Sequence, residues 1–160
     1  MAITRAGFVT FIRRQRVYTK VTDNSGIQSL GFLKITTTDL ADNDTDIDTA
    51  LAWAQSIVAP IIETFNAIDY AMAVYDAGMH WLIMYGNATV FDGVRTSLSA
   101  WNLHTGFIQS TSDEGTSVSN QLPSYLQNLG AGDMQFMQTQ SGRDYMGILA
   151  RYRDLVSFDA

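Results

Sequence analysis

The sequence has no cysteine and only two histidines and two prolines among its 160 residues. The lack of cysteine excludes disulfides, thiolate metal sites and cysteine nucleophiles, and it suits a reducing compartment such as a cytoplasm. His80 and His104 alone leave little scope for a catalytic triad, and no nucleophile-elbow, phosphate-loop or dinucleotide-binding motif is present. We therefore expect that the chain is not an enzyme and needs no cofactor and no metal.

Charge and long apolar runs are also scarce. Charged residues make up 16% of the chain, against roughly 25% in typical soluble domains. This composition favours burial of part of the surface by a partner, although Ser, Thr, Asn and Gln also cover surfaces without charge. No apolar run approaches the ~20 residues of a membrane span, because Asp69, Asp76 and His80 interrupt the longest one. We expect no membrane contact.

The charge that is present is unevenly distributed. Residues 1–34 carry a net charge of +5 and the remaining residues −11, which together give the net charge of −6. The basic residues Arg13, Arg14, Arg16 and Lys20 are therefore candidate interface residues. Three interpretations stay open: contact between copies, contact with an acidic partner or phosphate backbone, and pairing with the chain's own acidic body.

The pattern predicts a mainly α fold, a small helical bundle with a projecting β-hairpin or long polar loop and an extended N-terminal arm. Residues 1–40 would form a basic arm or hairpin packed on a helical domain of residues 41–160. Within the arm, helical spacing predicts a short helix over 7–15, and alternation around Asp23-Asn24-Ser25-Gly26 predicts a hairpin over 17–37. We also expect that removal of residues 1–20 abolishes assembly while leaving a folded monomer.

Two longer helices follow the arm. The first starts after a cap at Asp44, Thr45 or Asp46, bends or breaks at Pro60, and carries one apolar face: Ile47, Leu51, Ala54, Val58, Ile61, Ile62 and Phe65. The second covers 67–85, ends at Gly86-Asn87, and has the stripe Ile68, Met72, Tyr75, Met79, Leu82 and Ile83.

The second half of the chain is less regular. Residues 87–106 suggest a loop with one short helix, and 107–120 a polar hairpin turning at Asp113-Glu114-Gly115. Two short helices are predicted after it. One lies near 124–129 or over 131–137, and the other starts near Ser141, which with Asp144 forms a weak capping box.

Two groups of polar residues deserve a chemical interpretation. The run Asp42-Asn43-Asp44-Thr45-Asp46-Ile47-Asp48 begins like a calcium loop, but Ile47 stands where the loop needs glycine and Trp53 where it needs glutamate, so helix capping is favoured. Asp76 and His80 stand four apart on the second helix, where they can share a metal or a proton. We favour a pair at a helix edge or interface.

Two segments resemble the head-tail adaptor (connector, head-completion) proteins of tailed bacteriophages. Residues 107–119, from Phe107 to Ser119, look like the serine-rich stretch between the family's helices. Residues 136–153, from Phe136 to Arg153, are similar to its closing pattern, in which Thr, a turn residue and Gly precede an aromatic, a leucine and a basic pair. The likeness loosely covers residues 45–153.

The resemblance implies a structural subunit of the virion neck, assembled in the host cytoplasm. It implies a closed homo-oligomeric ring, usually twelve-fold, between the portal protein and the tail or next neck protein, with DNA passing through without specific binding. Further candidate interface residues are then Asp113, Glu114, Arg143, Tyr145, Arg151 and Arg153. The alternative function is a nucleic-acid-binding module that uses the basic arm.

Overall fold

The computed structural model describes residues 2–22, 25, 28–100, 110–113, 116–119 and 131–156. These residues form a mainly helical bundle with small antiparallel hairpins, which confirms the predicted fold class. The elements are α1 (Arg5–Arg14), β1 (Arg16–Thr22), β2 (Gln28–Lys34), α2 (Thr45–Ile57), α3 (Ile61–Phe65), α4 (Ala67–Tyr85), α5 (Val90–Ala100), β3 (Ser110–Asp113), β4 (Thr116–Ser119), α6 (Ala131–Phe136) and α7 (Gln140–Val156).

The arm has the predicted order of helix and hairpin. Thr4 caps α1, because its side chain accepts a hydrogen bond from the backbone N–H of Gly7. Strands β1 and β2 pair antiparallel from Arg16 opposite Lys34 to Thr22 opposite Gln28. Of the predicted turn residues, Asp23, Asn24 and Gly26 lie outside the described residues.

The first long helix is interrupted where the sequence predicts. Asp44 caps α2, which ends at Ile57, and a separate short helix α3 begins after Pro60. Proline has no N–H to donate and its ring clashes with the preceding turn, so the helix cannot continue through it. Asn66 then caps α4 by accepting hydrogen bonds from the N–H groups of Ile68 and Asp69.

Helix α4 is the centre of the molecule, since α1, α2, α3, α5 and α7 all pack on it. Phe8 of α1 lies over Gly78, where a Cβ would come within 2.7 Å of the Phe8 ring. Phe8, Ile12 and Val17 all belong to the core. Because the removal of residues 1–20 would uncover the middle of α4, we now expect it to destabilise the monomer instead of leaving it folded.

The C-terminal part has one correction. The helix over 87–106 is α5, and the alternative of 131–137 is realised as α6, whereas 124–129 lies outside the described residues. Helix α7 begins before Ser141, at Gln140, and its cap is Thr139, whose Oγ1 accepts from the N–H of Gly142 at 2.9 Å. Ser141 is instead buried. The predicted capping box at Ser141 and Asp144 is therefore wrong.

The polar hairpin is present as β3 and β4, paired antiparallel from Ser110 opposite Ser119 to Asp113 opposite Thr116. Its neighbours in sequence, 101–109 and 120–130, are not described. Among the helices that the structure describes, none has the length and apolar character needed to cross a membrane.

Candidate interaction surfaces

Two arginines of the arm are used inside the chain. Arg5 pairs with Asp48, with 2.6 Å between Nε and Oδ1, and also donates to the carbonyl oxygens of Asp42 and Asp44. Arg13 donates to the carbonyl oxygens of Thr36 at 2.8 Å and Leu40 at 2.5 Å. It also forms an ion pair with Asp42. These contacts tie α1 to the segment that leads into α2.

The aspartate run is accounted for by contacts of this kind. Asp44 Oδ1 accepts from the N–H of Asp46 at 2.9 Å, and the carboxylate of Asp46 accepts from the backbone and side chain of Asn87. Asp39 accepts from Thr36, and this hydrogen bonding lowers the pKa of Asp39. Each of these carboxylates thus accepts hydrogen bonds from a different part of the chain, and Asp44 caps α2 as predicted.

Other cations of the arm point to solvent. Arg14, Arg16 and Lys34 are exposed, and they form no ion pair with the part of the chain that the structure describes. Arg16 and Lys34 are direct cross-strand neighbours, and Phe32, two residues before Lys34, shares their side of the ribbon and is 56% exposed. We call Arg14, Arg16, Phe32 and Lys34 the basic hairpin face.

The opposite side of the same hairpin faces the core. Val17 and Ile35 are buried and Leu33 is half-buried. Strand β1 packs on α5, and Arg95 of α5 donates to the carbonyl oxygens of Ile83 and Gly86 at the C-terminal end of α4. The hairpin thus packs on α5, while α1, which leads into the hairpin, lies on Tyr75 and Gly78 in the middle of α4.

A second exposed surface lies at the N-terminal end of α4. Phe65 is 60%, Ile68 63% and Met72 39% exposed. Glu63, two residues before Phe65, is exposed as well. We call Glu63, Phe65, Ile68 and Met72 the apolar patch. Large exposed apolar side chains that cluster mark an interaction site more often than scattered ones do.

The exposure of the apolar patch differs from the prediction for these helix faces. Sequence periodicity placed Phe65, Ile68 and Met72 on buried stripes, but those stripes are covered only from Tyr75 onward on α4 and up to Ile62 before it. Periodicity identifies which residues share a helix face, but it does not show where the neighbouring helices stop. The signal available was three large apolar residues at a helix junction with an acid beside them.

The remaining predicted interface residues lie in several places. Tyr145 is only 4% exposed and packs on Phe136 with ring centroids 4.8 Å apart, so it is a core residue rather than a surface one. Arg143 donates to the carbonyl oxygen of Met137, and Arg151 forms an ion pair with Asp69 at 3.2 Å. The side chains of Lys20, Asp113, Glu114 and Arg153 are outside the described part of the structure.

Asp76 and His80 form a buried polar junction between α4 and α7. His80 Nδ1 lies 2.7 Å from Thr139 Oγ1. The same oxygen accepts from the N–H of Gly142, so one hydroxyl links the His80 ring to the first turn of α7. Burial lowers the pKa of His80 to about 4, so the ring is neutral.

Asp76 has no hydrogen-bond partner among the described residues, although it is only 3% exposed. Burial, and then the charge of Asp144 on α7, raise its pKa to about 7. The two residues thus lie at a helix interface, as favoured, but His80 bonds to Thr139 instead of Asp76. Within the described residues no three metal-ligating side chains come together. His104 lies outside them.

No family model, no curated protein and no solved structure matches this chain.

Proposed function

We propose that the chain is a structural head-tail adaptor subunit, which assembles as a ring between a portal and a tail or neck protein and lets DNA pass through. The observation that supports this most is the presence of two chemically different exposed surfaces on one subunit, the basic hairpin face and the apolar patch.

Two unlike surfaces on one subunit favour head-to-tail contact. When one surface of a copy meets a different surface of the next, the assembly continues until it closes, and closure gives a ring. A single self-complementary surface would instead give a two-fold dimer. The closing segment also has a structural role: Thr139 and Gly142, two residues of the family's closing pattern, connect α7 to His80 of α4.

The test is the mass of the purified protein, alone and mixed with a portal protein. We expect a discrete oligomer of many 17.7 kDa subunits, or a monomer that becomes one on the portal. A chain that stays monomeric and does not bind the portal would contradict the adaptor function.

The second candidate function is nucleic-acid binding through the basic hairpin face, because it combines three exposed cations with an exposed aromatic ring. Neutralising three phosphates would make the logarithm of the affinity fall with the logarithm of salt concentration with a slope of about −2.7. Weak DNA affinity with no such slope would exclude this function.

A further inference from the structure

We propose that Asp76 and His80 form a compensating pair of buried titratable side chains, which keeps helices α6 and α7 docked on α4 equally well across the mildly acidic pH range. Each of the two side chains is neutral while the helices are docked and charged when they detach. This pairing concerns the internal stability of the subunit and is independent of the adaptor function.

Helix α7 runs antiparallel to α4, and the contacts near its two ends fix which residues face each other. Just before its start, Thr139 Oγ1 lies 2.7 Å from His80 Nδ1. Near its end, the hydroxyl of Tyr152 donates to Asp69 Oδ2 at 2.7 Å. Asp76 stands between His80 and Asp69 on α4, so it faces the first half of α7.

Asp76 and His80 are both buried where α6 and α7 meet α4. Asp76 is 3% and His80 2% exposed, and they stand about one helical turn apart on the same face of α4. The ring of Phe136 on α6 lies 4.8 Å from the His80 ring, centroid to centroid. A Cβ at Gly142 would come within 2.9 Å of His80 Nδ1, so the first turn of α7 closes directly on the ring.

Neither side chain has an oppositely charged partner in the part of the chain that the structure describes. His80 Nδ1 bonds to the uncharged hydroxyl of Thr139, and Asp76 has no hydrogen bond to a described residue. A buried group loses the hydration that stabilises its charge, so both groups favour the neutral form. Burial, and then the charge of Asp144, raise the pKa of Asp76 to about 7, and burial lowers the pKa of His80 to about 4.

The groups that face the pair from α6 and α7 do not supply a balancing charge. Asp144 is itself an acid, so it opposes the ionisation of the buried carboxyl group. Arg143 donates instead to the carbonyl oxygen of Met137. Tyr145 stays neutral, because burial and then the charge of Asp133 raise its pKa to about 12.

The helices on the other sides of α4 add no charge to the pair. Of the described buried side chains on α1, α2, α3 and α5, only that of Asp46 is ionisable, and its carboxylate accepts hydrogen bonds from Asn87. No group on these four helices shifts the pKa of Asp76 or His80. The neutral state of the pair therefore depends on the docking of α6 and α7.

Detachment of these two helices would return both groups to water, where the ordinary pKa is 3.8 for Asp and 6.5 for His. Between about pH 4 and pH 6.5 the detached state then holds a charged Asp76 and a charged His80. One proton leaves the acid and one joins the base, so detachment neither releases nor takes up protons. An equilibrium without net proton exchange does not depend on pH.

A single introduced thiol can report the detachment, because the chain has no cysteine. Ser141→Cys places the thiol at a buried position of α7 with little change of shape. Ala54→Cys is the control, since this buried position of α2 packs on α4 and should be exposed only by global unfolding. The measurement is the rate of labelling by a dithiodipyridine from about pH 4.5 to about pH 6.5, divided by the rate in concentrated urea at the same pH.

The normalised labelling rate of the Ser141→Cys protein should change by less than about threefold over this range. Adding Asp76→Asn leaves only the base, so the rate should fall by about 100-fold as pH rises, tenfold per pH unit for one proton. Adding His80→Gln leaves only the acid, so the rate should rise by about the same factor. The Ala54→Cys protein should be labelled more slowly than the Ser141→Cys protein at every pH.

Three results would overturn the pairing. The first is a Ser141→Cys protein whose labelling depends on pH as steeply as that of the double variants. The second is flat labelling after Asp76→Asn, which changes the shape of the side chain little and decides the matter even if circular dichroism shows that His80→Gln does not fold. The third is equal labelling of the Ser141→Cys and Ala54→Cys proteins, since α6 and α7 would then not detach separately.

Discussion

Neighbouring residues of the arm have opposite roles. Arg13 is directed inward, where its guanidinium holds two backbone carbonyls and Asp42, whereas Arg14 is exposed and has no ion pair with the described part of the chain. The same division holds for the whole arm, since Arg5 and Phe8 belong to the inward set and Arg16 and Lys34 to the outward set. A single block of positive charge in the sequence thus combines a structural part with a part that is free for a partner.

Among the inward-facing residues of the arm, Phe8 should have the largest effect on stability when it is replaced. Phe8→Ala should lower the free energy of unfolding by about 3–5 kcal/mol, because the ring is fully buried over Gly78 and stacks on Tyr75. Urea unfolding with far-ultraviolet circular dichroism measures the loss. A change below about 0.5 kcal/mol, the size expected of a surface position, would show that the arm does not belong to the core.

Asp76 is a buried acid without a counter-ion among the described residues, and it makes stability depend on pH. Its pKa of about 7 in the folded protein exceeds the value of 3.8 for an ordinary Asp. The folded state therefore holds the proton more tightly, and this contribution is complete below pH 4 and lost as pH rises to 7. At 1.36 kcal/mol per pH unit the loss is on the order of 4 kcal/mol.

Asp76→Asn tests this effect, because the amide has nearly the same shape and does not ionise. The lowered pKa of His80 makes stability rise with pH between about 4 and 6.5 in both proteins, so the effect of Asp76 appears in the difference between them. The free energy of unfolding of the wild type should fall relative to that of the variant between pH 4 and pH 8, and the variant should be the more stable protein at pH 8. Equal pH profiles for the two proteins would mean that Asp76 is solvated in the folded state.

Arg13 and Arg14 provide the matched pair of substitutions. Arg13→Met should cost about 2 kcal/mol, since Thr36 and Leu40 lose a charged hydrogen-bond donor. Arg14→Met should stay within about 0.5 kcal/mol of the wild type. Thermal unfolding of both variants under one condition measures the two changes in stability. Equal losses of stability would contradict the different roles of Arg13 and Arg14.

The smallest expected change in stability is an increase, and it comes from a substitution at Lys34. Lys34→Glu should stabilise the isolated chain by about 0.2–1 kcal/mol, because it replaces a like-charge cross-strand pair at Arg16 by an opposite-charge one. Unfolding of dilute protein, below the concentration at which copies associate, measures this change in the stability of the monomer. A destabilisation would indicate that the side chain of Lys34 has a favourable contact within its own chain.

Local signals predicted much of this fold. The Asp44 cap, the break at Pro60, the extent of α4 and the β1–β2 hairpin all follow from chemistry within a few residues. The His80–Thr139 contact joins residues 59 positions apart, so no local pattern contains it. The exposure of Ile68 and the difference between Arg13 and Arg14 depend on which neighbouring segment covers each side chain, and spacing alone does not give that information.

The central claim is that the outward charges serve assembly and not folding. The most direct measurement is the mass distribution, by sedimentation velocity, of the triple variant Arg14→Glu, Arg16→Glu, Lys34→Glu beside the wild type. The account predicts a wild type that assembles and a triple variant that is a folded 17.7 kDa monomer. A triple variant that assembles to the same mass as the wild type would contradict it.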